Sequence, residues 1–389
     1  MFEKSISHEA KNFAFSLPVR IIFEVFGLNN LSAYLRDAGK SDALIVLSES
    51  AKERFSSLIN HNENSSDPVR FTYWTVENNF KASTKALHAI QSHLRTNNYD
   101  AIVSIGGGNI IDFVKVAAIS LSSAIDIDTV VGKTFDKVDK KILHVAVPTT
   151  FGTGSEVTKG AIIYDSKRHI KEGVRGDAIF PDIALVDPQL GASLPDAVLR
   201  ETLFDSFTHV FEALHAVKSN PLTETLAVAS LKRLNGNIAR YSAGQLDADF
   251  YSEAALISLA GGICVCHNST CLPHRFEQAF APFYQLSHGA GLAAIYPAWV
   301  RALEREKKIS PLLAQFSEGK SASDYVANIL RELKLDDARE RLATAELSAT
   351  DMVKRVTGNV SNDPLIDADS KVIPALLSEI IRGEACTTL

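Results

Sequence analysis

Residues 101–115 read Ala101-Ile102-Val103-Ser104-Ile105-Gly106-Gly107-Gly108-Asn109-Ile110-Ile111-Asp112-Phe113-Val114-Lys115. The first five residues are a nearly continuous apolar run of strand length, which is typical of a parallel strand buried on both faces. Three glycines then separate this strand from a second segment, which is predicted to be helical. The stretch therefore predicts a buried strand, a tight glycine turn and a helix.

Strand-like segments lie on both sides of this stretch and alternate with helical ones. Strands are predicted over residues 18–27, 43–47, 71–76, 142–147, 161–164 and 180–188, and helices over residues 31–38 and 84–97. Strands that alternate with helices indicate a parallel, doubly wound sheet. We therefore predict an α/β domain over residues 1–187.

Strand signals disappear after about Asp187. Helices are predicted over residues 197–216, 221–241, 250–265, 270–281, 289–303, 322–333, 346–356 and 371–382. This pattern predicts an all-helical domain over residues 188–389, joined to the first domain by a short linker. The cleft between two such domains is the natural place for a ligand.

Two loops of the first domain carry groups that suit a dinucleotide. The glycine triplet lets the backbone approach a phosphate closely, and the helix N-terminus that follows offers free N–H groups to the anion. The second loop reads Pro148-Thr149-Thr150-Phe151-Gly152-Thr153-Gly154-Ser155-Glu156-Val157-Thr158. Its hydroxyls and glycines suit a phosphate, a ribose or the nicotinamide amide. The alternatives are a plain tight turn and a Ser/Thr loop without function.

A carboxylate and three imidazoles in the second domain indicate a metal site. Asp205 and His209 are four residues apart, which places them one turn apart on one helix face. His274 and His288 follow later in the chain. These ligand types suit Fe²⁺ or Zn²⁺. The alternative is that all four are polar residues of helix surfaces and of the core.

Taken together, these motifs resemble the iron-containing (group III) alcohol dehydrogenase family. That family takes its metal from an Asp-x-x-x-His pair and two later histidines. Its pyrophosphate loop is Gly-Gly-Gly-Ser-x-x-Asp-x-x-Lys, and Asn109 replaces the serine here. The second loop is close to the family's Pro-Thr-Thr-x-Gly-Thr-Gly-Ser-Glu-Val-Thr. The resemblance runs from about Pro18 to Trp299 and implies a dehydroquinate synthase-like fold, with an NAD(P)-binding α/β domain and an all-α metal-binding domain.

The resemblance also implies a set of site residues. The metal, Fe²⁺ or Zn²⁺, would be held in the catalytic centre by Asp205, His209, His274 and His288. NAD(P)H would be bound by Ser48, Gly106, Gly107, Gly108, Asn109, Asp112, Thr149, Thr150, Thr153, Ser155 and Lys171. The implied reaction is hydride transfer between nicotinamide and a small aldehyde or alcohol whose oxygen the metal polarises.

Two positions depart from the family pattern. The second strand ends at Ser48-Glu49, where the family usually has Thr-Asp with a carboxylate on the adenosine ribose. A serine could donate a hydrogen bond to a 2′-phosphate, but Glu49 could repel it, so the choice between NAD and NADP stays open. Gln278 replaces a histidine that is often assigned to proton relay. His267 and His215 are possible substitutes, although a structural or surface role explains each more simply.

Arg275 and Gln278 are candidate substrate residues. Arg275 directly follows the third candidate ligand, where many relatives have a small or apolar residue. Its guanidinium could receive a carboxylate, phosphate or phosphonate, which would make the substrate an anionic aldehyde. The alternative is an ion pair of Arg275 with Glu277 or with another carboxylate.

Three alternative functions remain on the same fold. A maleylacetate reductase also departs from Thr-Asp at the second strand, but such relatives usually lack the ligand aspartate that Asp205 provides. A sugar-phosphate cyclase uses Glu at the first ligand position. A non-catalytic nucleotide-binding protein is supported only by Gln278.

Composition excludes several other classes. The formal net charge of −6 and the lack of a concentrated Lys/Arg block argue against a nucleic-acid partner. No run of about 18 apolar residues predicts a membrane span, and the residues after Met1 do not form a secretory signal. We therefore expect a cytoplasmic enzyme with a small-molecule substrate. The family resemblance implies a homodimer or a higher homo-oligomer.

Overall fold

The protein is described from a computed structural model, in residues 12–59, 69–281, 283, 286–342, 352–356, 358–366 and 371–382. The residues just after Met1, on which the signal-sequence prediction rests, lie outside these ranges. So does most of the helix predicted over residues 346–356.

A six-stranded parallel sheet forms the first half, as predicted. Its strands are β1 (Arg20–Phe23), β2 (Asp42–Ser48), β3 (Arg70–Val76), β4 (Ala101–Gly106), β5 (Leu143–Pro148) and β8 (Ile183–Val186). Their order is β1-β8-β5-β4-β2-β3, and every pairing is parallel. The chain reverses its direction of winding between β2 and β4, which lie side by side, so their carboxyl ends flank the crevice where such sheets bind ligands.

Helices cover both faces of the sheet because successive strand residues point to opposite sides. Helices α1 (Leu31–Asp37) and α2 (Glu49–Ile59) share an apolar cluster with Ile45 and Leu47. Helices α3 (Thr84–Thr96) and α4 (Gly108–Ile119) pack against Leu44 and Val46. The sheet is therefore doubly wound. Helix α2 was not predicted from the sequence.

An antiparallel hairpin is separate from this sheet. It pairs β6 (Gly160–Asp165) with β7 (Ile170–Arg175). Strand β6 was predicted, but β7 was missed because Lys171, Glu172 and Gly173 interrupt its apolar pattern. The hairpin contacts helix α8 of the second half.

The second half is helical in the residues that the structure describes. Its helices are α5 (Asp196–His215), α6 (Pro221–Ser242), α7 (Ala248–Asn268), α8 (Leu272–Phe280), α9 (His288–Arg305), α10 (Ala322–Glu332), α11 (Ala338–Leu342) and α12 (Val372–Arg382). Side-chain caps start some of these helices: Asn220 and Asp247 accept hydrogen bonds from the first turns of α6 and α7. Aromatic residues of α5 and α9, among them Phe207 and Trp299, fill the core.

Helix α7 is long and apolar enough to cross a membrane by length and composition alone. More than half of its most apolar window is buried inside the protein, where it packs between α5 and α6. A core helix meets the same criterion, so this helix is weak evidence for a membrane span.

Two glycines bring the two halves into close contact. Gly154 follows β5 and has a left-handed φ of +57°, which favours glycine. A Cβ atom at Gly154 would lie 2.4 Å from Cα of Gly262 on α7. The last strand of the sheet, β8, ends at Val186, and helix α5 of the second half begins at Asp196. The domain boundary near residue 187 stays a prediction.

Candidate active site

A cavity of about 1100 Å³ lies between the carboxyl ends of the sheet strands and the helical half. Ser48 at the end of β2, Gly106 at the end of β4 and Thr149 after β5 line one side. The four candidate metal ligands line the other side. The cavity is large enough for both a dinucleotide and a small substrate.

Three of the candidate ligands converge on one oxygen atom of the fourth, Asp205. Asp205 and His209 project from α5, His274 from α8, and His288 is the first residue of α9. The Nε2 atoms of His209 and His288 each lie 3.5 Å from Oδ1 of Asp205, and Nε2 of His274 lies 3.7 Å from it. Three helices therefore bring together residues that span 84 positions of the chain, Asp205 to His288.

A glutamate carboxylate lies against the outer nitrogen of two of the imidazoles. His274 Nδ1 lies 2.8 Å from Oε1 of Glu212, and His288 Nδ1 lies 2.8 Å from Oε2 of Glu277. These contacts turn both Nε2 atoms towards Asp205, which is the arrangement that carboxylates give to metal-ligating histidines.

Sequence reasoning assigned no role at the site to either glutamate. Glu212 is fully buried and also accepts a hydrogen bond from the Cys271 amide at 2.6 Å. Its position three residues after His209, on the same helix face, was an available signal. Glu277 appeared only as a possible partner of Arg275.

Burial and neighbouring charges determine the protonation of this cluster. Burial opposes ionisation of Asp205, but His209 and His288 hold the pKa of its carboxyl well below the ordinary value. Burial lowers the pKa of His209 to about 4. Burial also opposes a charged His288, yet Glu277 and Asp205 raise its pKa to about 10. Against its own burial, His288 and Lys171 lower the pKa of Glu277 to about 2.

The donor set fits a divalent transition metal. Asp205, His209 and His274 each offer a ligand atom, and these atoms lie within 4.8 Å of one another. Among the described residues, neither Oδ1 of Asp205 nor Nε2 of His274 has a hydrogen-bond partner, although both are buried. A buried polar atom without a partner is costly, and a shared cation would satisfy both of them.

The glycine triplet packs directly against the second loop. A Cβ atom at Gly107 would lie 2.9 Å from Oγ1 of Thr150, and one at Gly108 would lie 2.8 Å from Cγ2 of Thr153. The absence of side chains at both glycines thus lets the two loops form one wall of the cavity. Asn109, in the first turn of α4, is exposed and also lines the cavity.

A hydrogen-bond network around the buried Lys115 stabilises the second loop. Lys115 Nζ donates to Oγ of Ser155 at 2.7 Å, to Oγ1 of Thr158 at 2.9 Å and to the Gly160 carbonyl at 2.7 Å. Asp112 lies 3.4 Å from the same Nζ and accepts a hydrogen bond from the Ile162 amide at 2.7 Å. Asp112 and Ser155, both predicted to bind the cofactor, line the cavity with polar atoms that are already engaged.

Ser48 lies at the predicted ribose end of the cavity. Its Oγ accepts a hydrogen bond from the Ala51 amide at 3.2 Å. Glu49 is exposed and is not among the residues that line the cavity. Arg54, which sequence reasoning missed, does line it and donates to the Ser193 carbonyl at 3.0 Å. This end of the cavity therefore carries a guanidinium group near Ser48.

Lys171, which was predicted to bind the cofactor, lies beside one of the glutamates that contact the candidate metal ligands. It projects from β7 into the cavity, and its Nζ lies 3.8 Å from Oε2 of Glu277.

Arg275 does not form the ion pair that was considered from the sequence. Glu277 contacts His288 and Lys171 instead. Arg275 is 4% exposed and lines the cavity. Its guanidinium donates to Oε1 of Gln278 at 3.2 Å, and also to Oγ of Ser269 and Oγ1 of Thr270. Burial, followed by the positive charge of Arg175, lowers the pKa of Arg275 to about 10.

The two alternative relay histidines have other contacts. His215 is buried between Phe211 and Trp299 and is not among the cavity-lining residues. His267 does line the cavity, but its ring stacks on Phe15 at a centroid distance of 3.8 Å, and its Nδ1 donates to the Ile263 carbonyl. Neither contact pattern favours a proton relay.

Two family models match the chain in succession. The model described as iron-containing alcohol dehydrogenase covers residues 18–188. The model described as Fe-containing alcohol dehydrogenase family, C-terminal, covers residues 200–358. Together they span most of the chain.

Individual relatives match smaller parts of the sequence. Long-chain-alcohol dehydrogenase 1 of Geobacillus thermodenitrificans is 30% identical over 207 residues, which are 52% of this chain and 51% of that protein. NAD-dependent methanol dehydrogenase of Bacillus methanolicus is 31% identical over 196 residues, or 50% of this chain and 51% of that protein. The chain spans about half the length of these curated relatives.

A solved structure shares the fold over almost the whole chain. Sulfoacetaldehyde reductase from Bifidobacterium kashiwanohense, in complex with NAD⁺, superposes with a TM-score of 0.82 at 19% identity. The match covers 97% of this chain and 100% of that one.

Proposed function

Because the chain belongs to the iron-containing alcohol dehydrogenase family, we propose that it is a metal-dependent, NAD(P)-linked alcohol dehydrogenase or aldehyde reductase. One observation carries the proposal. Three imidazoles point their Nε2 atoms at Oδ1 of Asp205, within the cavity that the glycine triplet also lines.

The residues of this chain divide the work between two ends of the cavity. Asp205, His209, His274 and His288 would hold Fe²⁺ or Zn²⁺, and Glu212 and Glu277 would orient two of the histidines. When bound, the metal would polarise the alcohol or carbonyl oxygen of the substrate.

The cofactor would lie along the joined loops. The N–H groups at the start of α4 would donate hydrogen bonds to the pyrophosphate. The loop at residues 149–153 would contact the part of the cofactor that extends from there towards the candidate metal ligands. Hydride would pass between C4 of the nicotinamide and the substrate carbon, within a cavity that limits access of water.

We infer that NADP(H) is accepted at least as well as NAD(H). The ribose end carries Ser48 in place of an acidic residue, and Arg54 lines the cavity there while Glu49 does not. An arginine at this place can accommodate a 2′-phosphate, whereas a carboxylate would repel it.

The alternative functions have less support. A maleylacetate reductase-like or cyclase-like enzyme would not be expected to use an aspartate as the first ligand, where Asp205 lies at the centre of the cluster. A non-catalytic protein would have no need for four converging donors and two orienting glutamates.

The setting of the enzyme is also proposed. We expect a cytoplasmic protein that acts on a small molecule and associates as a homodimer or a higher homo-oligomer, with no nucleic-acid partner.

Metal-loaded protein tests the proposal. Oxidation or formation of NAD(P)H should be measured with short aldehydes and alcohols, after loading with Fe²⁺ or Zn²⁺ and after chelation. We expect turnover only in the loaded protein. Absence of turnover with every aldehyde and alcohol, in protein that binds both metal and cofactor, would favour a non-catalytic role.

A further inference from the structure

The guanidinium of Arg275 is buried without a counter-ion in the part of the chain that the structure describes. Its partners are the neutral side chains of Gln278, Ser269 and Thr270, and its Nε has no partner among the described residues. In that part of the chain, no carboxylate oxygen lies within 4.0 Å of its nitrogens. A buried charge normally has a paired opposite charge because desolvation is expensive.

A second arginine lines the same cavity. Arg175 is the last residue of β7 and lies with Arg275 among the residues that line the cavity. Its guanidinium donates only to the Gly173 carbonyl at 3.4 Å, and within the described residues it forms no ion pair. Two guanidinium groups of like charge therefore line one cavity, and neither forms an ion pair with a carboxylate of the described residues.

Nearby acidic groups do not remove this excess charge. Glu212 and Glu172 act on Arg275 only from beyond ion-pair distance. Glu212 is already engaged with His274, and Glu277 with His288 and Lys171. The guanidinium groups of Arg275 and Arg175 have a fork geometry that matches oxyanions.

We propose that Arg275 and Arg175 form an anion-binding subsite for the substrate, and that the aldehyde carries a terminal oxyanion group such as a sulfonate, phosphonate or carboxylate. This inference rests on the proposed function. Arg275 follows the candidate ligand His274 directly in α8, so the anionic end would lie beside the metal while the carbonyl faces it. Gln278, which contacts Arg275, would position the fork.

Kinetics on pairs of substrates test the subsite. Metal-loaded enzyme is assayed with sulfoacetaldehyde, phosphonoacetaldehyde and succinic semialdehyde, and with propionaldehyde and butyraldehyde as neutral comparators. We expect kcat/KM to be higher for at least one anionic aldehyde by on the order of 100-fold. Better turnover of the neutral aldehydes would overturn the proposal.

Variants of Arg275 distinguish a role in binding the anionic substrate from a role in stabilising the turn between α7 and α8. Arg275→Met should lower kcat/KM for the anionic substrate by on the order of 100-fold, mainly through KM, and leave neutral aldehydes within about threefold. For the anionic substrate, kcat/KM of Arg275→Lys should lie between the values of the wild type and Arg275→Met, because lysine keeps the positive charge but lacks the guanidinium fork. Equal losses for both substrate classes would show that Arg275 only braces Ser269 and Thr270. Arg233→Met, at an exposed ion pair with Glu253, is the matched control.

A variant of Arg175 tests whether this residue binds the substrate anion or a phosphate of the cofactor. Arg175→Met should raise KM for the anionic aldehyde and leave KM for NAD(P)H unchanged. A raised KM for the cofactor with an unchanged aldehyde KM would assign Arg175 to a cofactor phosphate and overturn its place in the subsite.

A binding measurement works without turnover. Isethionate and 2-hydroxyethylphosphonate should raise the unfolding temperature of metal-loaded protein, whereas 1,3-propanediol should not. The shift should disappear in Arg275→Met and persist in Arg233→Met. If no aldehyde of either class is reduced, the proposed function fails, and this shift alone then decides whether the anion subsite exists. No shift in the wild-type protein would overturn the subsite.

Discussion

Nδ1 of His209 lies 3.1 Å from the carbonyl oxygen of Gly152. His209 is a candidate metal ligand, whereas Gly152 belongs to the loop that contacts the glycine triplet through Thr150 and Thr153. The same loop is tied to α5 by Ser206, whose hydroxyl donates to the Phe151 carbonyl at 3.0 Å. One loop therefore connects the proposed metal and cofactor ends of the cavity.

Metal removal should abolish activity while the cofactor end stays intact. Chelation should stop turnover, and Fe²⁺ or Zn²⁺ should restore it. His288→Ala should lower bound metal, measured by elemental analysis, but preserve NAD(P)H binding, measured by fluorescence. We expect this separation because His288 belongs to α9 of the helical half, whereas the glycine triplet follows β4 of the sheet. Full activity in metal-free protein would contradict metal dependence.

Glu212→Gln should weaken metal binding without removing a ligand. The carboxylate contacts His274 Nδ1 at 2.8 Å, and loss of such an orienting partner typically lowers metal affinity about 10–100-fold. Metal affinity is measured by competition with a chelator. Glu253→Gln, at a more exposed carboxylate on α7, should leave it unchanged. Equal affinity in wild type and Glu212→Gln would mean that Glu212 does not orient a ligand.

Cofactor preference should respond to the ribose end of the cavity. Ser48→Asp should disfavour NADP(H) by about 1–3 kcal/mol, because a carboxylate there would repel the 2′-phosphate. Arg54→Met should weaken NADP(H) more than NAD(H), and Lys52→Met, on the same helix but outside the cavity lining, should change neither. The readout is the ratio of specificity constants for the two cofactors. An unaltered ratio in Ser48→Asp would place Ser48 away from the ribose.

Lys115→Met should destabilise the fold as well as the cofactor loops. The substitution removes three hydrogen bonds within 2.9 Å and leaves the carboxylate of Asp112 without its cation. Breaking a buried pair in this way costs about 3–5 kcal/mol. The free energy of unfolding is compared with that of Lys140→Met, at an exposed position. Similar stability in both variants would contradict a supporting role for the network.

His215 should make metal-free protein sensitive to acid. Burial lowers the pKa of this imidazole to about 4, below its ordinary value near 6.5 in the unfolded chain. The folded state therefore binds fewer protons, so stability is full above about pH 6.5 and falls as the pH drops towards 4. The loss amounts to about 3 kcal/mol. His215→Phe should flatten this part of the stability profile, and an unchanged slope would exclude the effect.

Local patterns made the sheet and the candidate ligands predictable. Strands such as β4 are nearly continuous apolar runs, and the spacing of Asp205 and His209 requires only a single helix. Sequence spacing does not predict which residues of three different helices lie close together. The proximity of His274 and His288 to Asp205 was therefore expected only from the family resemblance.

Residues whose role depends on tertiary contacts were not predictable. Arg54 reaches the cavity only because α2 packs beside Ser193, which is 139 residues away. Asp363 accepts hydrogen bonds from the Leu272 amide and from Nε1 of Trp299, both at 2.8 Å, and so positions α8 from a part of the chain without any motif. Strand β7, with mixed polar residues and a glycine, gave no periodic signal.

The contact between Gly154 and Gly262 sets a tolerance for the chemistry. Hydride transfer requires the nicotinamide carbon and the substrate carbon to approach within a narrow range, and misplacement by about 1 Å can cost roughly 100-fold in rate. Under the proposed function the two reactants would be held by different halves of the protein, and these halves touch at Gly154 and Gly262, where neither residue has a Cβ atom. A methyl group added at either glycine would push the halves apart and so lengthen the distance that the hydride has to cross.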